Sequence, residues 1–185
     1  MAEADMLAFL TERRSVLARN MTTPGPSAEM LRTLLEIAMR VPDHGKIAPW
    51  KFVIIEGDDR DALGAIAAAA LDEEDANTAT QFTRAPTVIA VLATPKEHPK
   101  VPRSEQILSA GAACMNLLTA AQSQGFAAQW LTGPTAYLPE VKAALGGGAD
   151  DEIAGFIYLG TASEAPSERA RPTYDDVVQT GLARG

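Results

Sequence analysis

With a single cysteine, Cys114, the chain cannot close an internal disulfide. That cysteine lies inside an apolar helical pattern, where a thiol is far more often a packing group than a nucleophile. Histidine is almost as scarce. His44 and His98 are the only two, and with one cysteine they leave a structural zinc site short of donors. Positive charge is in deficit as well: 16 Lys and Arg against 24 Asp and Glu give a net charge of −8 and a pI near 4.8. That sign argues against general nucleic-acid binding and against docking on an anionic membrane. The most apolar run, 107–121, is too short to span a bilayer and too rich in small residues. Residues 1–12 carry Glu3, Asp5 and Glu12 without a continuous apolar core, so no signal peptide is read there. The expectation is a soluble, cytoplasmic protein.

Several catalytic signatures are also missing. No Gly-x-Gly-x-x-Gly follows a strand, which removes the Rossmann fingerprint. Gly146-Gly147-Gly148 runs into Ala149-Asp150-Asp151, and carboxylates there would repel a phosphate. No Gly-x-Ser-x-Gly elbow exists, and Asp43-His44 are too close in sequence to face one another as part of a triad. What remains is chemistry supplied by a bound cofactor, with the protein contributing binding, orientation and electrostatics.

What is present is one domain's worth of alternating elements. At 185 residues and 46% hydrophobic, a single compact domain with a sizeable core is expected. Residues 4–14 place Met6, Leu7 and Leu10 on one helical face. Pro24-Gly25-Pro26 breaks the chain and Ser27 is a good N-cap. Leu31, Leu34, Leu35, Ala38 and Met39 form a helical stripe, ended by Pro42. Phe52 to Ile55 reads as a buried strand, 59–71 as an alanine-rich helix, and 72–85 as a polar loop with a helical turn. Thr87 to Ala93 is a β-branched run suited to a central strand. Residues 104–123 form a long helix, apolar nearly all round, with more apolar surface than one sheet can cover; a dimer interface covers the rest. A strand over 126–131, a helix over 136–145 and a strand over 153–159 follow. Residues 161–185 read as a polar, extended arm. The fold class expected is α+β, an α/β sandwich around one sheet, with 1–160 as the domain and 161–185 as its arm.

Two short basic segments stand out against the acidic background: Arg13-Arg14-Ser15, and Arg40 to Trp50 with its His, Lys and Pro-Trp corner. Arginine forks with a serine hydroxyl suit a phosphate monoester. Each also has a plainer reading. Cations at a helix end favour its dipole, Ser15 can be a turn residue, His44 a surface contact, and Trp50 a core residue. Trp130 divides evenly between core and site.

Arg13-Arg14-Ser15, the Pro42 to Trp50 loop with its following strand, the apolar helix, Gly125 to Gly133 and Gly155-Phe156-Ile157-Tyr158-Leu159-Gly160 together resemble the nitroreductase family of FMN-dependent oxidoreductases, in its short single-domain subgroup. The resemblance covers roughly 150 residues. Many members carry a Ser-x-x-Asn-x-Gln-Pro-Trp type of loop, where this chain has His44 and Ala48. The resemblance implies a mostly antiparallel sheet flanked by helices, in an obligate homodimer with an exchanged arm and two interfacial FMN sites. Arg13, Arg14 and Ser15 match the segment that binds the FMN phosphate from one subunit. Arg40 and His44 match positions that reach the flavin from the other, and Leu131, Thr132 and Gly133 match the segment beside the isoalloxazine ring. Arg169 and Arg171 are candidates for a further phosphate contact, and Lys46 is either solvent-exposed or near the pyrimidine edge. His98 has no matching role. The implied activity is hydride transfer from NADH or NADPH through flavin N5 to a nitroaromatic, quinone or enone, by a ping-pong mechanism with no catalytic side chain. A flavin-binding module with little turnover, or dehalogenation or flavin fragmentation on the same fold, are the alternatives.

Overall fold

The computed structural model describes residues 3–71 and 76–182. In chain order the elements are α1 (Glu3–Glu12), β1 (Met21–Thr22), α2 (Ala28–Ala38), β2 (Trp50–Ile55), α3 (Asp58–Leu71), α4 (Ala76–Ala79), β3 (Thr87–Ala93), α5 (Arg103–Ser123), β4 (Ala127–Leu131), α6 (Pro139–Ala144), β5 (Glu152–Ala162) and α7 (Tyr174–Val177). Short 3₁₀ turns at Ala18–Asn20, Gln81–Arg84 and Pro134–Tyr137 join them. Every strand pair is antiparallel. β5 is the hub: it pairs with β1, β3 and β4, and β3 pairs in turn with β2.

The central strands are apolar throughout because both faces of the sheet are covered. Side chains alternate between faces along a strand. Val88, Ala90 and Leu92 of β3 therefore join Phe156 and Tyr158 of β5 in one core, with Leu63, Ala67, Phe82 and Val141. Ile89 and Val91 join Ile157 and Leu159 in a second core, with Leu31 and Leu34 of α2 and Cys114, Leu117 and Ala121 of α5. Burial pushes the Cys114 thiol up to about 12, so the packing reading of that residue holds.

Several elements depart from their sequence reading. β1 was not anticipated, since two residues carry no periodicity. β2 is an edge strand, not a fully buried one: it pairs only with β3, and Ile54 is 42% exposed. α2 stops at Ala38, before Pro42 acts. Its Ile37 carbonyl accepts from Arg40 N at 2.9 Å and from Asn116 Nδ2 at 2.6 Å, which tightens the last turn. Ser27 does cap this helix, accepting from Met30 N at 3.2 Å. The helix expected over 136–145 is split, because Pro139 holds Leu138 extended (φ −80°, ψ 122°). The 72–85 segment contains α4 and a 3₁₀ turn, while 72–75 lie outside the described residues. α5 packs one face on the sheet but leaves Leu108 72% exposed. Met6, Leu7 and Leu10 of α1 also face outward. β5 runs on to Ala162, so the arm read from residue 161 begins inside the sheet; from Ala162 onward its described length is exposed, and it contains α7, begun by a capping box between Thr173 and Asp176. No helix among the described residues is long and apolar enough to cross a membrane.

One close approach constrains the sheet. A Cβ at Gly155 would fall 2.0 Å from Trp130 Nε1 and 2.5 Å from its Cδ1. The indole lies over this glycine and donates from Nε1 to the Ala154 carbonyl at 3.1 Å. Gly155→Ala is therefore expected to lower stability by about 1–3 kcal/mol, the usual scale of overpacking. A urea midpoint shifted down with an unchanged m-value would show this, and an unchanged midpoint would show that the indole relocates freely.

Candidate functional site

The Arg13-Arg14-Ser15 segment leaves the end of α1 and runs beside β4. Arg13 N still closes the last helical turn onto Phe9 O at 2.9 Å. Val16 N then donates to Ala128 O at 3.2 Å and Ala18 N to Gln129 Oε1 at 2.6 Å. A third tether comes from α5: Gln122 Oε1 accepts from Arg13 Nε at 2.9 Å, and Gln122 Nε2 donates to the Arg14 carbonyl at 2.6 Å. The Arg13 guanidinium is held below its ordinary pKa by burial, then by the nearby charges of Arg171 and Arg14. Arg171 thus comes in from the arm to join the two arginines. Arg14 pairs with the Glu168 carboxylate. That carboxylate sits below its usual range chiefly because the Arg169 backbone N–H donates to it, and secondarily because of Arg14. Arg169 enters by its backbone.

Arg13, Arg14 and Arg171 gather positive charge beside the carboxylates of Glu168 and Glu164 in a chain of net −8. Ser15 is exposed at the wall of an adjoining cavity of about 400 Å³, bordered also by Arg14, Asn20 and Glu164. Charged forks beside a hydroxyl are the donor set that a phosphate monoester requires. The phosphate end of FMN fits the chemistry of these residues.

The second basic segment is a strained loop. His44 (φ 57°), Gly45 (83°), Lys46 (73°) and Ala48 (46°) all occupy the left-handed region. For the non-glycine residues this costs about 1–3 kcal/mol each and persists only where the surroundings over-determine it. They do so here. Lys46 N donates to Asp43 Oδ1 at 3.1 Å, Ile47 N to Asp43 O at 3.1 Å, and Lys96 Nζ to Ile47 O at 2.8 Å. Ser109 Oγ of α5 donates to Pro42 O at 2.6 Å and accepts from Trp50 Nε1 at 3.1 Å. Trp50 also packs tilted against Phe52, with ring centroids 5.8 Å apart, so its packing role is the one seen. His44 is turned onto α5: Nε2 donates to the Glu105 carbonyl at 3.0 Å, and Nδ1 lies 3.5 Å from the Glu105 carboxylate. Arg40 is exposed, beside Val41, Pro42, Met115 and Asn116. Lys46 is exposed too. His98, read from sequence as having no role, accepts the Lys100 and Val101 amides at 3.2 and 3.1 Å and shapes its own loop.

The third segment is the end of β4. Leu131, half-buried, is the last residue in register, opposite Phe156. Thr132 and Gly133 then leave the sheet exposed, and Gly133 adopts φ 69°, a conformation that favours glycine. Trp130 is pinned against Gly155 behind this turn, with Gly111 of α5 at the far edge of its ring.

Within one chain these pieces do not all converge. Arg13 and Arg14 are tethered to Gln122 in the last turn of α5, and His44 to Glu105 in its first turn. At 1.5 Å per residue that separation is about 25 Å along the helix. The residues that sequence reading missed are the ones that do the tethering: Glu105, Ser109, Asn116 and Gln122 on α5, and Glu168 on the arm. The four on α5 are marked in the sequence as polar side chains interrupting an otherwise apolar helix, while Glu168 lies in the polar arm with no such mark. Among the described residues no cluster of His, Cys, Asp or Glu could hold a metal ion.

Comparison with known proteins agrees with this architecture. The family model described as "Nitroreductase family" matches residues 10–161. The Escherichia coli (strain K12) protein named "Putative NAD(P)H nitroreductase YdjA" is 41% identical over 163 residues, covering 85% of this chain and 88% of that one. A Haemophilus influenzae protein named "Putative NAD(P)H nitroreductase" is 38% identical over 176 residues, covering 90% and 94%. Among solved structures, a nitroreductase-like family protein from Bacillus cereus superposes with a TM-score of 0.82 at 23% identity, over 97% of both chains. An Exiguobacterium sibiricum protein described as "a putative nitroreductase in complex with FMN" has the same fold, with a TM-score of 0.76 at 20% identity over 98% of this chain and 99% of that one. With the family model matched over most of its length and relatives near 40% identity, the chain belongs to the nitroreductase family.

Proposed function

We propose that this protein is a homodimeric, FMN-dependent oxidoreductase of the cytoplasm that moves hydride from NADH or NADPH to an electron-poor acceptor such as a nitroaromatic, quinone or enone. The observation that carries the reading is the gathering of Arg13, Arg14 and Arg171 near Ser15 in an otherwise acidic chain, a donor set that suits an anion. The E. coli and H. influenzae relatives, each named "Putative NAD(P)H nitroreductase", support the same reading. FMN, held by Arg13, Arg14 and Ser15, would supply the redox chemistry of hydride transfer.

The chain's own residues then have defined tasks. Arg13, Arg14 and Ser15 hold the phosphate. Leu131, Thr132 and Gly133 line the ring, with the Gly133 turn bringing backbone close to its edge. Arg40 and His44 belong to the site completed by the partner subunit: His44 attaches at the opposite end of α5 from Arg13, and Arg40 lies exposed beside Met115 and Asn116 in the middle of that helix. The pinned, strained loop around His44 presents its backbone in one conformation, and the contact with Glu105 sets the imidazole orientation.

Dimerisation follows from what the single chain leaves uncovered. Met6, Leu7 and Leu10 of α1, Leu17, Met39, and Leu108 and Met115 of α5 are all 39–72% exposed. So many outward apolar side chains mark an interaction surface, and a second copy covers it. The exposed arm with Tyr174, Val177 and Leu182 embraces the partner. Analytical ultracentrifugation at micromolar concentration is expected to show a dimer; a stable FMN-loaded monomer would contradict this arrangement.

Arg13→Ala is expected to weaken FMN binding by roughly 1.5–3 kcal/mol, the usual contribution of a hydrogen bond to a charged group. The fold should survive, since the residue is only half-buried at a helix end. Flavin fluorescence titration reads this directly, and parental affinity in the variant would remove Arg13 from the phosphate site.

Donor and acceptor must each come within contact distance of the same flavin position, and one open face offers one place. Steady-state rates with NAD(P)H and a quinone are therefore expected to give parallel double-reciprocal lines, with each substrate competing against the other at high concentration. Intersecting lines would show that both bind together and would overturn the shared-site mechanism.

A further inference from the structure

We propose that Gln122, in the last turn of α5, is a positioning residue that aims Arg13 and Arg14 at the cofactor phosphate and thereby sets the preference for FMN over riboflavin, its dephosphorylated form. The proposal rests on the phosphate reading above and adds the group that makes the arginines selective.

The geometry is specific. Both ends of the Gln122 carboxamide are committed, Oε1 to Arg13 Nε at 2.9 Å and Nε2 to the Arg14 carbonyl at 2.6 Å. The two bonds fix each other. Turning the amide over would set its NH₂ against the Arg13 donor and its oxygen against the Arg14 carbonyl, so one orientation alone satisfies both partners. Arg13 spends its Nε on this contact, which leaves its two terminal nitrogens for an end-on fork to a phosphate. The bond to the Arg14 carbonyl sets the backbone from which the second guanidinium projects.

The chemistry of the amide also matters. Burial presses on the Arg13 charge first, and the like charges of Arg171 and Arg14 add to it. Without a ligand they favour splaying apart. A neutral oxygen restrains Arg13 without cancelling its charge. A carboxylate at this position would hold the guanidinium more tightly but would neutralise it and repel an incoming phosphate. Gln122 also sits on a rigid platform: α5 runs 21 residues, and its apolar face, with Leu117, Leu118 and Ala121, is packed in the core. An arginine pre-set in its binding rotamer loses less entropy when the ligand arrives.

A residue acting through phosphate-binding arginines must change FMN affinity and leave riboflavin affinity alone, whereas a merely structural residue changes both. The full-length protein, stripped of flavin, is titrated with FMN and with riboflavin by flavin fluorescence. Gln122→Met keeps the side-chain length and removes both hydrogen bonds. It is expected to weaken FMN binding about tenfold, the scale of hydrogen bonds to a charged group, and to leave riboflavin binding within about twofold. In an Arg13→Ala background the same substitution is expected to cost at most about twofold more, because its main partner is gone. Gln122→Glu, which keeps an acceptor for Arg13 and the packing volume, is expected to lower the FMN-to-riboflavin preference as well, and it reads the same ratio should the Met variant fail to fold. Equal losses for both flavins, or no loss of FMN affinity, would overturn the role of Gln122. A parent protein that binds riboflavin as tightly as FMN would overturn the phosphate site itself, and that result appears before any substitution is made.

Discussion

The structure depends on the polar side chains of α5. This helix is packed against the sheet through Ala113, Cys114, Leu117 and Ala121, and four of its polar residues each hold a separate loop. Gln106, 1% exposed, accepts from Lys96 N at 2.9 Å and donates to the Lys96 and Val101 carbonyls, fixing the turn before the helix. Ser109 joins Pro42 to Trp50, Asn116 closes α2, and Gln122 holds Arg13 and Arg14. Each of these groups is wholly or partly removed from water, where an unpaired polar atom is expensive, so the loops are held in register with the helix and with one another. The segments that carry the site are thus loops in sequence but parts of a rigid frame in space.

The electrostatics follow the same logic. An acidic chain keeps most of its surface unattractive to anions, yet gathers Arg13, Arg14 and Arg171 from two segments far apart in sequence. Their mutual repulsion is tolerated because Gln122 anchors one guanidinium and Glu168 offsets another. Local positive potential is therefore focused at one place. The strained 44–48 loop is the second such concentration of unfavourable terms, and it too is held by contacts to α5 and to Lys96. Strain and like-charge crowding thus stand at two points on a frame that is otherwise well satisfied.

Much of the fold was legible because its signals were local. The β-branched run 87–93 forms β3, the Leu31-Leu34-Ala38 stripe is the buried face of α2, and Ser27 caps it. Arg13-Arg14-Ser15 stood out because cations are conspicuous in an acidic sequence. Legibility failed where pairing partners decide the outcome. Phe52 to Ile55 is apolar in every position, yet β2 is an edge strand, since burial depends on how many neighbours a strand has. β1 is two residues long and exists only because β5 extends past its other partners to Ala162. The polar residues of α5 were passed over because a periodicity argument counts apolar positions and averages the exceptions away.

By itself the sequence determined most of the elements and their order, the apolar central strand and the residue types available to bind a phosphate. All of these follow from interactions between residues close together along the chain, or from composition. Tertiary structure alone decided that Arg171 bears on Arg13, that His44 turns onto Glu105, and that the attachments of His44 and Arg13 lie toward opposite ends of one helix. Those outcomes depend on contacts across 60 to 160 residues, which are set by how α5 lies on the sheet, and no spacing in the sequence records that placement.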